Sequence, residues 1–254
     1  MFGSNISRRY YLFITVITSC IIMLEFLLDV YNLRILLALI MLGIATIIDI
    51  WKREINDFLW IAFGGIAIIL IFFEPNLFDA LKNIGISLII APIALLLWRI
   101  GIFGGADALG LIVLAALSPQ LSLSENIITP FTTLTNAAII STAIIFSNLI
   151  HNLSSLANHR NIFDGFEETR LKKISAMFLG YRAKKPKYGF SIEKKFWNYK
   201  KLDFSLRHAE NTEYCNTPDT WVTPGMPYIL FITAGFVVQL IFGDIIFNLI
   251  WSFR

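Results

Sequence analysis

Long apolar runs separated by short polar segments dominate this chain, and charged residues stand at or beyond the ends of the runs. The runs are too uniformly apolar to alternate like the strands of a membrane barrel. Lipid cannot satisfy unpaired backbone groups, so a run that crosses a bilayer must be helical. The pattern predicts seven candidate membrane helices, at residues 10–24, 35–48, 58–73, 84–98, 108–117, 127–150 and 222–242.

The composition is that of an integral membrane protein. Of the 254 residues, 56% are hydrophobic and 15% are charged, whereas soluble domains have about 25% charged residues. Several runs are shorter than the ~20 residues that cross about 30 Å of hydrocarbon. Their flanks must complete the crossing, or the helices must end inside the protein. We therefore predict an all-α, polytopic membrane protein with about seven transmembrane helices.

Basic residues indicate how these helices are oriented. Lys and Arg are retained on the cytoplasmic side, so Arg8 and Arg9 place the N-terminus there, and counting crossings places Lys52, Arg53 and Arg99 there as well. The predicted parts are an extra N-terminal transmembrane helix at 1–30, a helix bundle at 31–151, a basic cytoplasmic loop region at 152–226 and a C-terminal transmembrane helix at 227–254.

The N-terminal segment has a second interpretation. Arg8 and Arg9, an apolar stretch and Cys20 also resemble a signal peptide, or even a lipoprotein signal, whose removal would delete one crossing. If the segment is retained, Cys20 lies in the membrane and Cys215 in the cytoplasm. We then expect both cysteines to be reduced.

The loop region carries most of the positive charge. Residues 152–226 hold 13 Lys and Arg against 8 Asp and Glu. Its basic clusters between 172 and 201, interleaved with aromatic residues, favour contact with anionic membrane lipid, although a plain solvated linker fits equally well. Tethering beside a membrane makes nucleic acid the weaker alternative, and we predict none. The few, widely spaced His and Cys residues predict no metal site and no cofactor.

Two aspartates stand where apolar runs meet polar residues, Asp49 and Asp107. A carboxylate at the centre of a membrane helix costs roughly 2.5–3.5 kcal/mol, less near the interface, so functional use is the default explanation. Structural explanations stay open for both residues. Asp49 could pair with Lys52 or Arg53 one turn on, and Asp107 could cap the following helix.

Chemistry links these two acids. Peptide hydrolysis by two carboxyls needs one ionised group to activate water and one protonated group to polarise the carbonyl. Two neighbouring carboxylates share one proton because both cannot ionise cheaply. The small residues Gly104, Gly105 and Ala106 before Asp107 would provide a floor against which an extended peptide could lie. The pattern predicts a membrane aspartyl protease that requires no metal.

These motifs resemble those of the archaeal preflagellin and type IV prepilin peptidases, GxGD-type membrane aspartyl proteases, over most of the chain. The residues that carry the resemblance are Asp49 with Lys52-Arg53-Glu54 and Ile55-Asn56-Asp57, then Gly104-Gly105-Ala106-Asp107, and Trp221-Val222-Thr223-Pro224 before the last span. The resemblance implies that Asp49 and Asp107 are the catalytic pair. Ala106 replaces the second motif glycine, and the extra N-terminal span has no counterpart.

The resemblance also implies a substrate. It would be an archaellin or type IV pilin precursor, whose short basic leader is cut off at the cytoplasmic face of an archaeal cell membrane. Glu54 and Asp57 could attract that leader, whereas the basic loop region would repel it and so is not expected to dock it. Three alternatives stay open: a presenilin-like protease that cuts within helices, a proton-coupled transporter, and a structural membrane anchor.

Overall fold

A computed structural model of the protein describes residues 29–119, 121–122, 127–197, 199–205 and 212–252. The first predicted span, residues 10–24, lies outside the described residues, as do Arg8, Arg9 and Cys20. The helices are α1 (Val30–Lys52), α2 (Phe58–Ile71), α3 (Leu77–Ser87), α4 (Ile90–Arg99), α5 (Gly105–Leu117), α6 (Phe131–Ala157), α7 (Arg170–Leu179), α8 (Tyr228–Phe242) and α9 (Ile245–Ser252).

Only some of these helices are long enough to span a membrane. Within the described residues α1, the α3–α4 pair and α6 are long and apolar enough to cross a bilayer, and α8 with α9 would make a fourth span despite a 47° bend. Helices α2 and α5 are apolar but shorter. The membrane character of the helices is therefore confirmed, whereas the predicted number of seven spans is not.

Local sequence explains where several of these helices begin and break. The Asp29 side chain accepts the Tyr31 N–H and begins α1, and the Asn76 side chain accepts the N–H groups of Phe78 and Asp79 and begins α3. The apolar run at 84–98 is interrupted at Leu88, four residues before Pro92. Proline lacks an N–H and clashes with the carbonyl four residues earlier, so a break there is expected.

Helix α5 lies at the centre of the bundle. Most of its side chains are buried, and it packs against α1, α2, α3, α4 and α8. A Cβ at Gly110 would lie 3.0 Å from the Ile229 side chain and 3.2 Å from the Trp60 ring, so a small residue lets three helices meet there. Because neighbouring helices surround it, both ends of this 13-residue helix can lie inside the protein, and α5 does not need the length of a membrane span.

The last predicted span is two helices. Helix α8 packs closely on α6, since a Cβ at Gly235 would lie 2.4 Å from the Thr133 carbonyl oxygen. Helix α8 ends at Gly243, and the Asn136 side chain bridges the break by donating to Gly243 O and accepting the Ile245 N–H. Helix α9 then leaves at the bend.

The predicted loop region is folded rather than extended. Residues 158–226, here called the extramembrane segment, contain α7 and two small antiparallel sheets, ordered β3-β7-β4 and β5-β6. The strands are β3 (Tyr181–Ala183), β4 (Gly189–Ser191), β5 (Glu193–Lys195), β6 (Lys200–Leu202) and β7 (Thr220–Pro224), with β1 (Leu121–Ser122) and β2 (Ile127–Ile128) forming a separate hairpin before α6. The all-α prediction is wrong here, because these strands are too short to show an alternating pattern.

Trp221 is the centre of the extramembrane segment. Its indole is fully buried, stacks on Phe163 at 4.9 Å and donates to the Ile162 carbonyl at 2.8 Å. The apolar residues from Trp221 to Pro224 therefore belong to a strand, although Val222 had been predicted to begin a membrane span. Ion pairs surround this core, including Arg182–Asp219 at 2.6 Å and Lys194–Asp203 at 2.8 Å.

Candidate active site

Asp49 and Asp107 line the same open cleft, called here the acid cleft, at one end of the helix bundle. It has a volume of about 960 Å³. Its walls are the end of α1 and the turn between α1 and α2, the end of α4 and the turn into α5, the first residues of α5, the first residue of α8, and part of the extramembrane segment. The buried Arg34–Glu74 ion pair, 2.7 Å long, lies at the opposite end of the bundle.

Asp107 is held by its own helix. It is the third residue of α5, is buried, and its Oδ2 accepts the Gly104 N–H at 2.9 Å. The first N–H groups of a helix have no partner within the helix, and an acidic side chain in the first turn also faces the positive end of the helix dipole. The capping role predicted for Asp107 is thus present, and the residue still lines the acid cleft.

Asp49 lies in the last turn of α1 and is half-buried. Arg53, which ends this helix in the left-handed conformation at φ 59°, donates its backbone N–H to Asp49 O at 3.0 Å. The Arg53 guanidinium crosses the cleft to donate to Gly225 O at 3.0 Å and lies 5.0 Å from the centre of the Tyr188 ring. The structural alternative for Asp49 was an ion pair with Lys52 or Arg53. An ion pair with Arg53 would compete with these two contacts of the guanidinium.

The residues after Arg53 form a short exposed turn that leads into α2. Ile55 packs against the bundle core, while Asn56 Oδ1 accepts the Phe58 N–H at 2.9 Å and orders the start of α2. Glu54 and Asp57 are exposed and line the acid cleft. The turn therefore places two carboxylates at the mouth of the cleft.

Gly104, Gly105 and Ala106 also line the acid cleft, and each is partly exposed. A Cβ at Gly104 would lie 3.4 Å from Asp107 Oδ2, within ordinary contact distance. The three small residues leave the wall beside Asp107 free of bulky side chains.

Sequence reasoning missed the wall opposite the acids. The extramembrane wall consists of Phe190, Tyr214, Pro224, Gly225 and Met226, all of which line the acid cleft. These residues carry no charged side chain, although they belong to the most basic part of the chain. The extramembrane segment was not expected to dock the substrate, because its net positive charge would repel a basic leader.

Gly225 fixes the position of this wall. Its N–H donates to Tyr188 O at 2.7 Å, and its carbonyl accepts from Arg53. A Cβ at this position would lie 2.7 Å from Tyr188 O and 3.3 Å from the rings of Phe190 and Tyr214. Only glycine fits without displacing backbone. The glycine after Pro224 was the available sequence signal for this close approach.

Two tyrosines, Tyr214 and Tyr228, complete the cleft. Tyr214 stacks on Phe190 at 5.1 Å, and Tyr228 lies 5.0 Å from Phe103 between ring centres. Burial raises the pKa of the Tyr214 hydroxyl, the Arg53 charge lowers it, and the charge of Asp49 raises it again. The net result is a raised pKa, so the phenol stays neutral at physiological pH.

The cleft thus brings two carboxyls, a floor of small residues and an uncharged aromatic wall to one place. These are the groups that hydrolysis of an extended peptide by two carboxyls requires. Among the described residues no group of three or more His, Cys, Asp or Glu has the geometry of a metal site.

Comparison with known proteins relates the chain to archaeal peptidases. A model of the family described as Archaeal Peptidase A24 C-terminus Type II matches residues 142–245. A protein named preflagellin peptidase from Methanococcus maripaludis is 29% identical over 224 residues, which cover 83% of this chain and 95% of the relative. Its namesake from Methanocaldococcus jannaschii is 24% identical over 227 residues, 82% of this chain and 93% of the relative. Over most of its length the chain is thus similar to archaeal preflagellin peptidases.

The family match covers one side of the acid cleft in particular. Residues 142–245 include the end of α6, the whole extramembrane segment and α8. They therefore contain the extramembrane wall but neither Asp49 nor Asp107. A third preflagellin peptidase, from Methanococcus voltae, is 26% identical over 226 residues and covers 84% of this chain. Alignments of this extent reach beyond the segment that the family model matches.

Proposed function

We propose that the protein is a membrane aspartic endopeptidase that removes the leader peptide from preflagellin or related type IV pilin-like precursors. The observation that carries the proposal is the shared cleft, which both Asp49 from the end of α1 and Asp107 from the beginning of α5 line. The names of the relatives support the substrate class. The small-residue floor supports binding of an extended rather than a helical segment.

In the proposed reaction the two carboxyls work as a pair. One proton is shared between Asp49 and Asp107, so its position belongs to the pair rather than to either residue. The ionised carboxyl takes a proton from water as the water oxygen attacks the scissile carbonyl, and the protonated carboxyl donates to the carbonyl oxygen. Collapse of the tetrahedral intermediate breaks the C–N bond and returns a proton to the leaving amine. The Gly104 N–H holds the Asp107 side chain in position.

The cleft mouth suits the predicted substrate. A precursor anchored in the bilayer by its own apolar helix would enter beside α1 and α5 with its leader outside the hydrocarbon. Glu54 and Asp57 are exposed at this mouth and complement the positive charge of a basic leader. The proposal places the cut at the junction of leader and helix, on the cytoplasmic side that the basic residues predict.

A cleavage assay with purified protein tests the proposal. We expect Asp49→Asn and Asp107→Asn each to lower the rate of cleavage of a synthetic preflagellin by about 100-fold or more, since acid–base groups contribute that much. Asp79→Asn is the matched control, because Asp79 is exposed at the opposite end of the bundle. The proposal is wrong if both cleft variants cleave at the unaltered rate while remaining folded.

The same assay separates the alternatives. Mass analysis of the products distinguishes a cut at the leader junction from a cut within the apolar helix, as a presenilin-like protease would make. A transporter or an anchor would release no fragment from any precursor.

A further inference from the structure

Helix α7 has an apolar side that the other described residues leave uncovered. Leu171 is 78% exposed and Ile174 is 52% exposed, and Phe178 follows on the same side and is partly exposed. These three residues, here called the apolar stripe, are spaced at i, i+3 and i+7, which places them on one face of a helix. Ala176 on the opposite face and Met177 at the side of the stripe pack into the core around Trp221.

Basic residues stand on both sides of the apolar stripe. Arg170 and Lys172 lie about 100° from Leu171 in opposite directions around a helix with 3.6 residues per turn, and both are exposed. Lys172 is tied to Glu168 at 3.1 Å, which keeps its ammonium near the first turn of α7. An apolar stripe between two basic edges is the pattern of a helix that lies in the interface of an anionic membrane.

The end of α7 is fixed beside the bundle. The last carbonyls of a helix have no partner within it, and here α6 provides donors: Asn148 donates to Phe178 O at 3.1 Å, and Asn152 donates to Met177 O and Gly180 O at 2.9 and 2.7 Å. Both asparagines are buried. The contacts place the end of α7 against residues 148–152 of α6.

That part of α6 lies one membrane thickness from the beginning of the helix. Counted from Phe131 at 1.5 Å per residue, about 30 Å of hydrocarbon ends near residue 150. On another face of α6, Ile150 is 67% exposed and Leu153 is 50% exposed, so the apolar surface of the bundle extends to this height. The acid cleft lies at the same end of the bundle, because the extramembrane segment forms one of its walls.

We propose that α7 is an interfacial helix that docks on anionic lipid through the apolar stripe, with Arg170 reaching the headgroups. Its role would be to hold the extramembrane segment against the bilayer in which the bundle is embedded. The occupant is the lipid surface itself, since the stripe combines uncovered apolar side chains, flanking basic charge and a fixed position at the level of the membrane boundary. This proposal does not depend on the proteolytic function.

Fluorescence quenching in vesicles tests it on the full chain. The two cysteines, Cys20 and Cys215, are replaced by Ser, and an environment-sensitive fluorophore is attached at Leu171→Cys or Ile174→Cys. The protein is reconstituted into phosphatidylglycerol vesicles whose acyl chains carry bromine. Ile68→Cys, 60% exposed in the second half of α2, reports the lipid environment, and Ile61→Cys, 69% exposed at the fourth residue of α2, reports lipid nearer the cleft end of the bundle. Lys185→Cys, exposed on the turn between β3 and β4, reports the aqueous environment.

We expect the labels at Leu171 and Ile174 to be quenched by brominated lipid nearly as strongly as the label at Ile61. Quenching no greater than at Lys185 overturns the proposal. Labels that are protected both from brominated lipid and from an aqueous quencher also overturn it, because a second copy of the protein would then cover the stripe.

The charge part of the proposal has its own measurement. Quenching of the label at Leu171→Cys reports the fraction of α7 that is docked on lipid. Arg170→Gln should lower the ratio of docked to undocked α7 about fivefold on anionic vesicles, since a basic residue near such a surface contributes about 1 kcal/mol. The same substitution should have no effect on vesicles of neutral lipid. Lys185→Gln is the matched control. An equal effect of Arg170→Gln on both kinds of vesicle contradicts a role of headgroup charge.

Discussion

The two sides of the acid cleft are built in different ways. The membrane side places Asp49 and Asp107 at the ends of helices whose positions are fixed by the bundle core. The extramembrane side carries no charge into the cleft and consists of aromatic rings and backbone held by Gly225 and Arg53. The difference teaches that the proposed catalytic acids and the wall that faces them come from distant parts of the chain, which the hydrogen bond from Arg53 to Gly225 O joins across the cleft.

Removing an acid should have the largest effect, and two variants of Asp107 separate its two roles. Asp107→Asn and Asp107→Ala should both abolish cleavage, because neither side chain can exchange the shared proton. Asp107→Asn can still accept the Gly104 N–H, whereas Asp107→Ala cannot, so Asp107→Ala should lose about 1 kcal/mol more stability. Thermal unfolding in detergent measures this difference. Equal unfolding temperatures would show that the cap contributes nothing.

Crowding the extramembrane wall should have the next largest effect. A Cβ at Gly225 would lie 2.7 Å from Tyr188 O, and relieving such a contact costs about 1–3 kcal/mol. Gly225→Ala should therefore displace the wall and raise KM for the precursor more than it lowers kcat. Gly64→Ala, where a Cβ meets nothing within 4 Å, is the matched control. If Gly225→Ala lost kcat as completely as Asp49→Asn, the extramembrane wall would not differ from the acids in its effect on catalysis.

The arginine that joins the two sides is the next test. Arg53→Ala removes the hydrogen bond to Gly225 O and the contact with the Tyr188 ring, and a hydrogen bond from a charged group to a partly buried acceptor contributes about 1.5–3 kcal/mol. We expect limited proteolysis to cut the extramembrane segment faster and cleavage of the precursor to slow. Lys52→Ala, a change of the exposed neighbouring base, should do neither. Unchanged proteolysis in Arg53→Ala would show that other contacts hold the segment.

Charge at the cleft mouth should affect binding more weakly. With Glu54→Lys and Asp57→Lys combined, we expect KM for a precursor with a basic leader to rise about fivefold at low salt and less at high salt, because exposed charges are screened. A precursor whose leader bases are replaced by Gln is the control and should respond little. A KM independent of both variants and salt would remove the proposed attraction.

The smallest effect is expected at Tyr214. Its raised pKa keeps the hydroxyl neutral, and the ring rather than the hydroxyl stacks on Phe190. Tyr214→Phe should therefore leave the pH dependence of cleavage unchanged and alter kcat/KM less than about twofold, in the range of surface substitutions. Tyr214→Ala, which removes the ring, should act like Gly225→Ala. A shifted pH profile in Tyr214→Phe would show that the Tyr214 hydroxyl takes part in the reaction together with the two acids.

Sequence alone went furthest where one local rule decides the outcome. Apolar runs predicted the helices, because lipid leaves a spanning backbone no other way to satisfy its polar groups. The acids were singled out by the cost of a carboxylate at membrane depth, and the turn before Asp107 predicted its cap. The resemblance to preflagellin peptidases rested on the same few positions. The catalytic roles of Asp49 and Asp107 and the cytoplasmic side of the membrane stay predictions.

Tertiary structure decided what depends on residues far apart in the chain. The short run at 108–117 can be a central helix only because five other helices surround it. A three-residue segment such as β3 is a strand only because it forms backbone hydrogen bonds with β7, which lies almost 40 residues further on. The extramembrane wall faces the acids because Arg53 reaches Gly225 across 172 positions of sequence. Hydropathy and motif spacing describe neighbours along the chain, whereas these contacts are set by packing.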